Sequence, residues 1–150
     1  MTTAREQDKI FQSMMNSPSF SEKERTLLLA RAREALSHAY APYSRFRVGA
    51  GVLTANGRIY TGVNVENASY GLAICAERAA IFSAVAAEGP EMHLKALAVV
   101  CEQPGPCTPC GACRQVIAEF GPEAVIIFSG PDGPEEVSLS RLLPGAFSLK

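Results

Sequence analysis

The stretch CAERAAIFSAVAAEGP, residues 75–90, predicts a helix that begins at a cysteine and ends at a Gly-Pro pair. Most of its residues are good helix formers, glycine commonly follows a last helical turn, and proline cannot continue the helix. The stretch CGACRQVIAEFGP, residues 110–122, repeats this pattern, and Pro109 favours a helix start at 110–111. The shared pattern indicates two helix N-termini, each with a cysteine, that point at one place.

The first part of the chain predicts an extension followed by a helix. Residues 1–20 are polar and show no sustained hydrophobic period, so we expect an N-terminal extension, either mobile or one loosely docked turn, ahead of a single domain, residues 21–150. Ser21 and Glu24 match a capping box, and the Ala- and Leu-rich run to Tyr40 predicts the helix that follows. A proline two residues later ends this helix.

Four β-prone segments predict a sheet. Residues 46–54 and 59–65 flank Asn56-Gly57, which is a strong hairpin signal because both residues tolerate a positive φ. Residues 96–102 and 124–130 are continuous apolar runs, typical of strands that are covered on both faces. The order of helix, hairpin, helix, strand, helix and strand predicts an α/β fold, a three-layer sandwich with a mixed sheet opened by an antiparallel hairpin.

Composition limits the classes of partner. The 150-residue chain is 47% hydrophobic with a formal net charge of -1, so no basic field attracts nucleic acid or an acidic membrane. No apolar run approaches the ~20 residues of a membrane span. The opening MTTAREQDKIFQS has no apolar signal-peptide core, and the five cysteines are an odd number. We therefore expect a cytoplasmic protein whose reduced thiols serve metal binding or catalysis.

Cys107, Cys110 and Cys113 lie three residues apart in the stretch CTPCGACRQ. Zinc binds three or four such ligands, often including a C-x-x-C pair whose members meet on one helical turn. If the helix starts at 110–111, Cys113 shares an inward face with the apolar residues three, four and seven positions later, whereas Cys107 lies in the preceding loop. A thioredoxin-like redox pair and a closed four-cysteine zinc site remain alternatives, and Cys101, within an apolar strand, fits a core position.

Cys75 and Glu77 place a thiol and a carboxylate two residues apart at a helix start. In mid-helix these positions point ~200° apart, so the spacing alone does not create a shared pocket. It does so if Cys75 is the cap and Glu77 lies in the first turn, where side-chain directions are less regular. A solvated surface glutamate is the alternative.

At these residues the sequence resembles the small zinc-dependent cytidine deaminases that act on free nucleosides. The similar segments are YAPYSRFRVGAGVL, TGVNVENASYGLAICAERAAI, PCGACRQVIAEF and LLPGAF, which span about residues 25–148. The zinc-deaminase signature combines a ligand-x-Glu with P-C-x-x-C, and this chain has cysteine where many nucleic-acid deaminases have histidine. The combination is more specific than either half alone.

The resemblance implies one Zn²⁺ per chain, with Cys75, Cys110 and Cys113 as its ligands and with Cys101 and Cys107 outside the site. Three protein ligands leave a fourth position for water, which is typical of a catalytic zinc. The implied reaction, a step of pyrimidine salvage, is the hydrolysis of cytidine or 2′-deoxycytidine to uridine or 2′-deoxyuridine and ammonia.

The resemblance also implies that Glu77 moves the protons of this reaction. Three thiolates give the zinc cluster a net negative charge, which opposes the formation of another anion at the metal. The helix N-termini and Arg78, three residues after Cys75, can offset that charge. Arg114 is a second candidate for this role, and a solvated surface arginine is the alternative for Arg78.

For nucleoside binding, the resemblance implies that Asn64 and Glu66 bind the ribose 3′-hydroxyl, that Phe46 stacks on the pyrimidine and that the backbone around Ala76 holds the base. An amide and a carboxylate suit this role, because a site built to bind a hydroxyl rejects an analogue that lacks it. A core aromatic is the alternative for Phe46.

The resemblance further implies assembly. Tyr70 and Phe147 resemble residues lent to a neighbour's pocket in homotetrameric members, so a homotetramer with pockets completed by neighbouring chains is expected. Relatives that act on modified cytosine nucleosides such as blasticidin S are a close alternative. A non-catalytic zinc module or redox sensor is a distant one, against which Glu77 beside the cysteines argues. The short chain without a basic face disfavours a polynucleotide substrate.

Overall fold

The elements of the domain follow the predicted order in a computed structural model that describes residues 20–149. They are α1 (Glu22–Leu36), β1 (Val48–Thr54), β2 (Ile59–Val63), a 3₁₀ turn (Tyr70–Leu72), α2 (Ala76–Glu88), β3 (Leu94–Cys101), α3 (Gly111–Phe120), β4 (Val125–Gly130), β5 (Gly133–Ser138) and α4 (Leu139–Leu142). No helix in the described range is long and apolar enough to cross a membrane. The predicted extension, residues 1–20, lies outside the described residues except for Phe20, which packs against the core beside α1.

One five-stranded sheet carries the fold, in the order β2-β1-β3-β4-β5. Strand β1 pairs antiparallel with both β2 and β3, β3 pairs parallel with β4, and β4 pairs antiparallel with β5. The parallel pair needs a crossover connection, which α3 supplies. The predicted mixed sheet opened by an antiparallel hairpin is confirmed.

Helices cover both faces of the sheet and complete the predicted three-layer sandwich. On one face, Leu28 of α1 packs in a cluster with Ile127 of β4. On the other face, Ile81 of α2 and Ile117 of α3 share a cluster with Ile126. Adjacent residues of β4 therefore point to opposite helical layers, which explains why this strand is apolar throughout.

Helix α1 is shorter than predicted, because it ends at Leu36 instead of Tyr40. The predicted capping box at its start is confirmed. The chain leaves the helix so that Tyr40 can pair with Val65, and the Tyr40 N–H donates to the Asn64 carbonyl at 3.0 Å. This pairing brings the loop after α1 beside the segment that carries Asn64 and Glu66.

The turn between β1 and β2 is a three-residue loop. The Gly57 N–H donates to the Thr54 carbonyl and the Thr54 N–H to the Arg58 carbonyl, both at 2.9 Å. Gly57 has a φ of 77°, whereas Asn56 keeps a negative φ. The hairpin is confirmed at the predicted place, and a glycine in the left-handed conformation closes it, so one of the two residues uses a positive φ.

Helix α2 approaches β2 closely at Gly62. A Cβ atom on Gly62 would lie 2.6 Å from the Ala76 carbonyl oxygen in the first turn of α2. The missing side chain lets the start of the helix rest directly on the strand. Gly62 thus sets the position of the helix N-terminus at which Cys75 and Glu77 lie.

Candidate active site

Three cysteine sulfurs converge at the N-termini of two helices. Cys75 is the N-cap of α2, Cys110 is the N-cap of α3, and Cys113 lies in the first turn of α3. Their Sγ atoms all lie within 4.8 Å of one another, with 4.0 Å between Cys75 and Cys110. Neither N-cap sulfur bonds to the backbone of its own helix, so both are available at the shared point. The partial positive charge of the helix N-termini favours thiolates there.

The donor set and the spacing of this cluster fit zinc. Thiolate sulfur binds zinc at about 2.3 Å, and tetrahedral geometry then places two sulfurs about 3.8 Å apart. The distance between the Cys75 and Cys110 sulfurs is close to that value. The hydrogen bond from the Cys113 thiol, with a further contribution from Arg78, lowers the pKa of Cys75, and the same bond raises the pKa of Cys113. The pair therefore holds a proton that zinc binding must displace.

Cys101 and Cys107 lie outside this cluster. Cys107 is buried in the core on the α2 and α3 side of the sheet, and this burial raises the pKa of its thiol. The Cys101 thiol donates to the Gln103 carbonyl at 3.4 Å. All five cysteines are free. The separation into three converging sulfurs and two that pack elsewhere disfavours the four-cysteine site.

Glu77 lies in the first turn of α2 and is only 4% exposed. Its side chain lines the same cavity as Cys75 and Cys110. Burial, with the Cys75 thiolate nearby, raises the pKa of Glu77 to about 7. A carboxyl group that titrates near neutrality can both take and release a proton. The first-turn geometry that the sequence left open thus brings the thiol and the carboxylate into one pocket.

A cavity of about 520 Å³ opens at the cysteine cluster, and such a volume suits a small organic ligand. It brings together residues that lie far apart in the sequence. From the sequence-derived candidates it gathers Phe46, Asn64, Glu66, Tyr70, Cys75, Ala76, Glu77, Arg78 and Cys110. Cys113 is fully buried, and Phe147 is absent from the cavity wall.

The side chain of Asn64 bonds to the backbone at the start of β1. Its Oδ1 accepts a hydrogen bond from the Val48 N–H and its Nδ2 donates to the Phe46 carbonyl, both at 2.8 Å. The amide therefore fixes the backbone on both sides of Arg47. One N–H and one lone pair of the amide remain for a bound molecule.

The carboxylate of Glu66 organises the loop after α1. It accepts hydrogen bonds from the Tyr43 N–H at 2.8 Å, from the Ser44 N–H at 3.2 Å and from the Ser44 hydroxyl. These bonds, above all the one from the hydroxyl, lower the pKa of Glu66. A carboxylate offers about four lone-pair sites, so accepting capacity remains for a substrate hydroxyl.

Comparison with known proteins places the chain in a family. It matches the model described as the cytidine and deoxycytidylate deaminase zinc-binding region, over residues 22–129. The chain belongs to this family. The matched range contains all three converging cysteines and Glu77. A zinc-binding family and a three-sulfur cluster agree on one zinc ion per chain.

Relatives and solved structures of this family are similar over most of the chain. The cytidine deaminase of Sporosarcina psychrophila is 50% identical over 123 residues, which cover 81% of this chain and 89% of the relative. That of Halalkalibacterium halodurans is 46% identical over 129 residues, covering 85% and 96%. A crystal structure of the cytidine deaminase from Burkholderia pseudomallei aligns with a TM-score of 0.75 at 48% identity, covering 81% of this chain and 98% of that one.

Arg78 faces the cysteine cluster. Its Nη2 donates to the Cys75 sulfur at 3.5 Å. Its Nε is buried and has no hydrogen-bond partner among residues 20–149. The predicted role of this guanidinium, to offset part of the negative charge that three thiolates would carry, stays a prediction.

Arg114, the other arginine considered for this role, points its hydrogen bonds elsewhere. It donates to the Pro109 carbonyl at 2.7 Å and to the Leu142 carbonyl at 2.9 Å. The side chain thereby ties the loop that precedes Cys110 to helix α4. Its contribution to the cluster is mechanical support of a cysteine-bearing loop.

Tyr70 and Phe147 differ in their relation to the cavity of their own chain. Tyr70 lines it and is 86% exposed. Phe147 is 70% exposed, and its carbonyl accepts a hydrogen bond from the Gln115 side chain at 3.1 Å. Their role in the pocket of a neighbouring chain stays a prediction.

Two hydroxyl-bearing residues of the cavity wall, Ser44 and Thr108, carry no role in the sequence analysis. Thr108 lines the cavity, and its position between two cysteines is the one signal that marks it. Ser44 bonds to both Glu66 and Phe46. A serine hydroxyl can bond to the backbone N–H two residues later, so the contact between Ser44 and Phe46 could have been predicted from the sequence. The contact between Ser44 and Glu66 could not.

Proposed function

We propose that this protein catalyses the hydrolytic deamination of cytidine and 2′-deoxycytidine to uridine and 2′-deoxyuridine, with release of ammonia, as a step of pyrimidine salvage. One observation carries the proposal, a buried carboxylate, Glu77, in the same cavity as converging cysteine sulfurs. Similarity to proteins named cytidine deaminases supports it. In this proposal Cys75, Cys110 and Cys113 hold one Zn²⁺.

Zinc at this place supplies Lewis-acid activation of a water molecule at neutral pH. Glu77 carries the protons. Its carboxylate takes one proton from the attacking water and delivers it to N3 of the cytosine ring while the oxygen bonds to C4. Glu77 then passes the second proton of that water to the exocyclic amine, and the C4–N bond breaks. Cytidine and water become uridine and ammonia, and Glu77 returns to its starting form.

The remaining residues of the cavity bind the nucleoside. Phe46 stacks on the pyrimidine, and the backbone at Ala76 contacts the base. The free N–H of Asn64 and the free lone pairs of Glu66 bind the ribose 3′-hydroxyl. The presence of all four residues in one cavity wall supports this assignment.

The charge of the cavity favours a nucleoside over a nucleotide. Among the described residues that line it, Arg78 is the one basic side chain, and it already donates to Cys75. A 5′-phosphate would find no unengaged cation in this wall and would meet the carboxylate of Glu66. Deoxycytidylate, which the family description includes, is therefore the substrate that the charge disfavours.

An ammonia-release assay tests this proposal. Zinc-loaded protein is offered cytidine, 2′-deoxycytidine, deoxycytidylate and blasticidin S, with the zinc content measured on the same sample. We expect both nucleosides to be deaminated and deoxycytidylate to be much the poorer substrate. No ammonia from either nucleoside at one zinc per chain would overturn the proposal. A preference for blasticidin S would assign the protein to the relatives that act on modified nucleosides.

We also propose that four chains assemble so that neighbours complete each cavity, and that the protein works in the cytoplasm. Tyr70, Leu72 and Phe147 are 86%, 72% and 70% exposed. Large apolar side chains at the surface are typical of interaction sites, so this exposure supports assembly. The five free cysteines support a reducing compartment.

Complementation between two weak variants tests the shared cavity. Phe147→Ala chains keep Glu77 but contribute no aromatic ring to a neighbouring cavity. Glu77→Gln chains contribute that ring but transfer no proton. If Phe147 acts between chains, co-refolding the two variants builds hybrid cavities, and the activity exceeds the sum of the two parents. A strictly monomeric protein in sedimentation, or no gain on mixing, would contradict the shared cavity.

A further inference from the structure

The loop that joins α1 to β1, residues 37–47, carries Phe46, which lines the cavity. Arg45 in this loop has a φ of 58°, the one positive φ of a non-glycine residue among residues 20–149. A left-handed conformation is unfavourable for a residue with a Cβ atom, so the surrounding contacts must hold it. The Arg45 N–H donates to the Ala41 carbonyl at 3.0 Å, and the Arg45 carbonyl accepts from the Gln103 side chain at 3.5 Å. Further bonds hold the flanking residues Ser44 and Phe46.

The Ser44 hydroxyl makes two hydrogen bonds of opposite sense. It donates to Glu66 Oε1 and accepts from the Phe46 N–H at 3.0 Å. The direction of each bond is fixed, because an ionised carboxylate only accepts and a backbone N–H only donates. The lowered pKa of Glu66 keeps that carboxylate ionised at neutral pH. One hydroxyl therefore joins the Glu66 carboxylate to the backbone of the aromatic residue.

The second polar backbone group of Phe46 is also held by a side chain. The Phe46 carbonyl accepts the 2.8 Å hydrogen bond from Asn64 Nδ2. Since the N–H and the carbonyl of Phe46 are both fixed, the direction in which its side chain leaves the backbone is fixed as well. Phe46 is 36% exposed, so part of the residue is open to solvent and the backbone bonds help to set its orientation.

We propose that Ser44 is a positioning residue that holds Glu66 and Phe46 in a fixed relation, so that the sugar and the base of a pyrimidine nucleoside are bound together. This inference rests on the proposed function. Ser44 bonds to neither Glu77 nor a cysteine of the cluster. Its loss removes binding that is present before and during the reaction, so the effect falls on KM and leaves kcat nearly unchanged.

The experiment compares Ser44→Ala, Ser44→Thr and the unchanged zinc-loaded protein with cytidine. We expect Ser44→Ala to raise KM roughly tenfold with kcat within about threefold, because one hydrogen-bonding hydroxyl is lost. Ser44→Thr keeps the hydroxyl and restores KM. Ser37→Ala is the matched control, since Ser37 donates to the Glu34 carbonyl at the end of α1. Zinc content and thermal unfolding confirm that each variant is folded.

A second substrate separates positioning from general damage to the loop. Removing the 3′-hydroxyl of the substrate removes the group that Glu66 binds. With 3′-deoxycytidine as the substrate, we therefore expect Ser44→Ala to raise KM less than it does with cytidine. The rise that remains is the part of the effect that acts through Phe46. A penalty of the same size for both substrates, or an unchanged KM with cytidine, overturns the proposal.

A binding measurement keeps this proposal distinct from the proposed function. Calorimetry of cytidine binding is performed with the Glu77→Gln variant, with and without Ser44→Ala, so that no turnover is needed. Roughly tenfold weaker binding in the double variant supports the positioning role even if the unchanged protein fails to deaminate cytidine. Equal binding by the two variants overturns the positioning role even if the unchanged protein is an active deaminase.

Discussion

The two ends of the cavity are built by different means. At the metal end, Cys113 and Glu77 lie in the first turns of α3 and α2 and are 0% and 4% exposed. At the nucleoside end, Phe46 and Glu66 lie in loops, and their positions depend on bonds between side chains and backbone. Regular structure thus fixes the chemistry, and loops supported by that structure adapt the site to its ligand.

Removal of a converging sulfur tests the metal end most severely. We expect Cys75→Ala, Cys110→Ala and Cys113→Ala each to lose zinc and to fall to background activity, because two sulfurs do not hold a catalytic zinc. Zinc is counted by atomic absorption after gel filtration. Cys101→Ala is the matched control, since its thiol bonds to a carbonyl outside the cluster. Full zinc content in any of the three variants would exclude that residue as a ligand.

Loss of the Glu77 charge separates proton transfer from metal binding. We expect Glu77→Gln to keep one zinc and to bind cytidine, while kcat falls by about 10²–10⁴, the usual contribution of general acid–base catalysis. Glu88→Gln provides a control on the same helix, because Glu88 accepts bonds from Thr54 and Asn56 at the far end. If Glu77→Gln remains fully active, the Glu77 carboxylate does not transfer protons in the reaction.

The same difference between the two ends of the cavity explains which parts of the site could be predicted from the sequence. At the metal end, the helix-start signals of 75–77 and 109–113 are local and predicted two helix N-termini, whereas the ligand set was implied by the resemblance to the deaminases. The structure brings those residues together. The end of α1 was predicted wrongly, because a long-range pairing of Tyr40 with Val65 overrides local helix propensity. The bond between Ser44 and Glu66 likewise joins loops that no local pattern relates.

Removal of the Asn64 amide tests the nucleoside end. Asn64→Ala breaks two hydrogen bonds to the backbone and leaves the partly buried Val48 N–H without its partner. We expect KM for cytidine to rise roughly tenfold or more while the zinc content stays at one per chain. Steady-state kinetics and a zinc count on the same preparation check this. A loss of zinc would show that the two ends are not independent.

A small change on the strand beneath α2 tests how the metal end is supported. Gly62→Ala places a Cβ against the Ala76 carbonyl, so α2 must shift, and we expect a loss of about 1–3 kcal/mol in the free energy of unfolding. Gly71→Ala is the matched control, because no atom lies within 4 Å of its added Cβ. Urea unfolding measures both variants. Equal stability of the two would mean that the close contact at Gly62 is not a constraint.

The smallest effect on zinc content and activity is expected at Cys107, which shares the motif of the ligands but not their position. Its thiol lies in the core, is 7% exposed, and is not one of the three sulfurs that lie within 4.8 Å of one another. Cys107→Ser therefore keeps one zinc and nearly full activity, with a loss of about 1–3 kcal/mol in the free energy of unfolding if the buried hydroxyl finds no partner. Cys113→Ser, the same change on a buried sulfur of the cluster, loses the metal. Zinc loss in Cys107→Ser would instead contradict the three-ligand assignment and would restore the four-cysteine site.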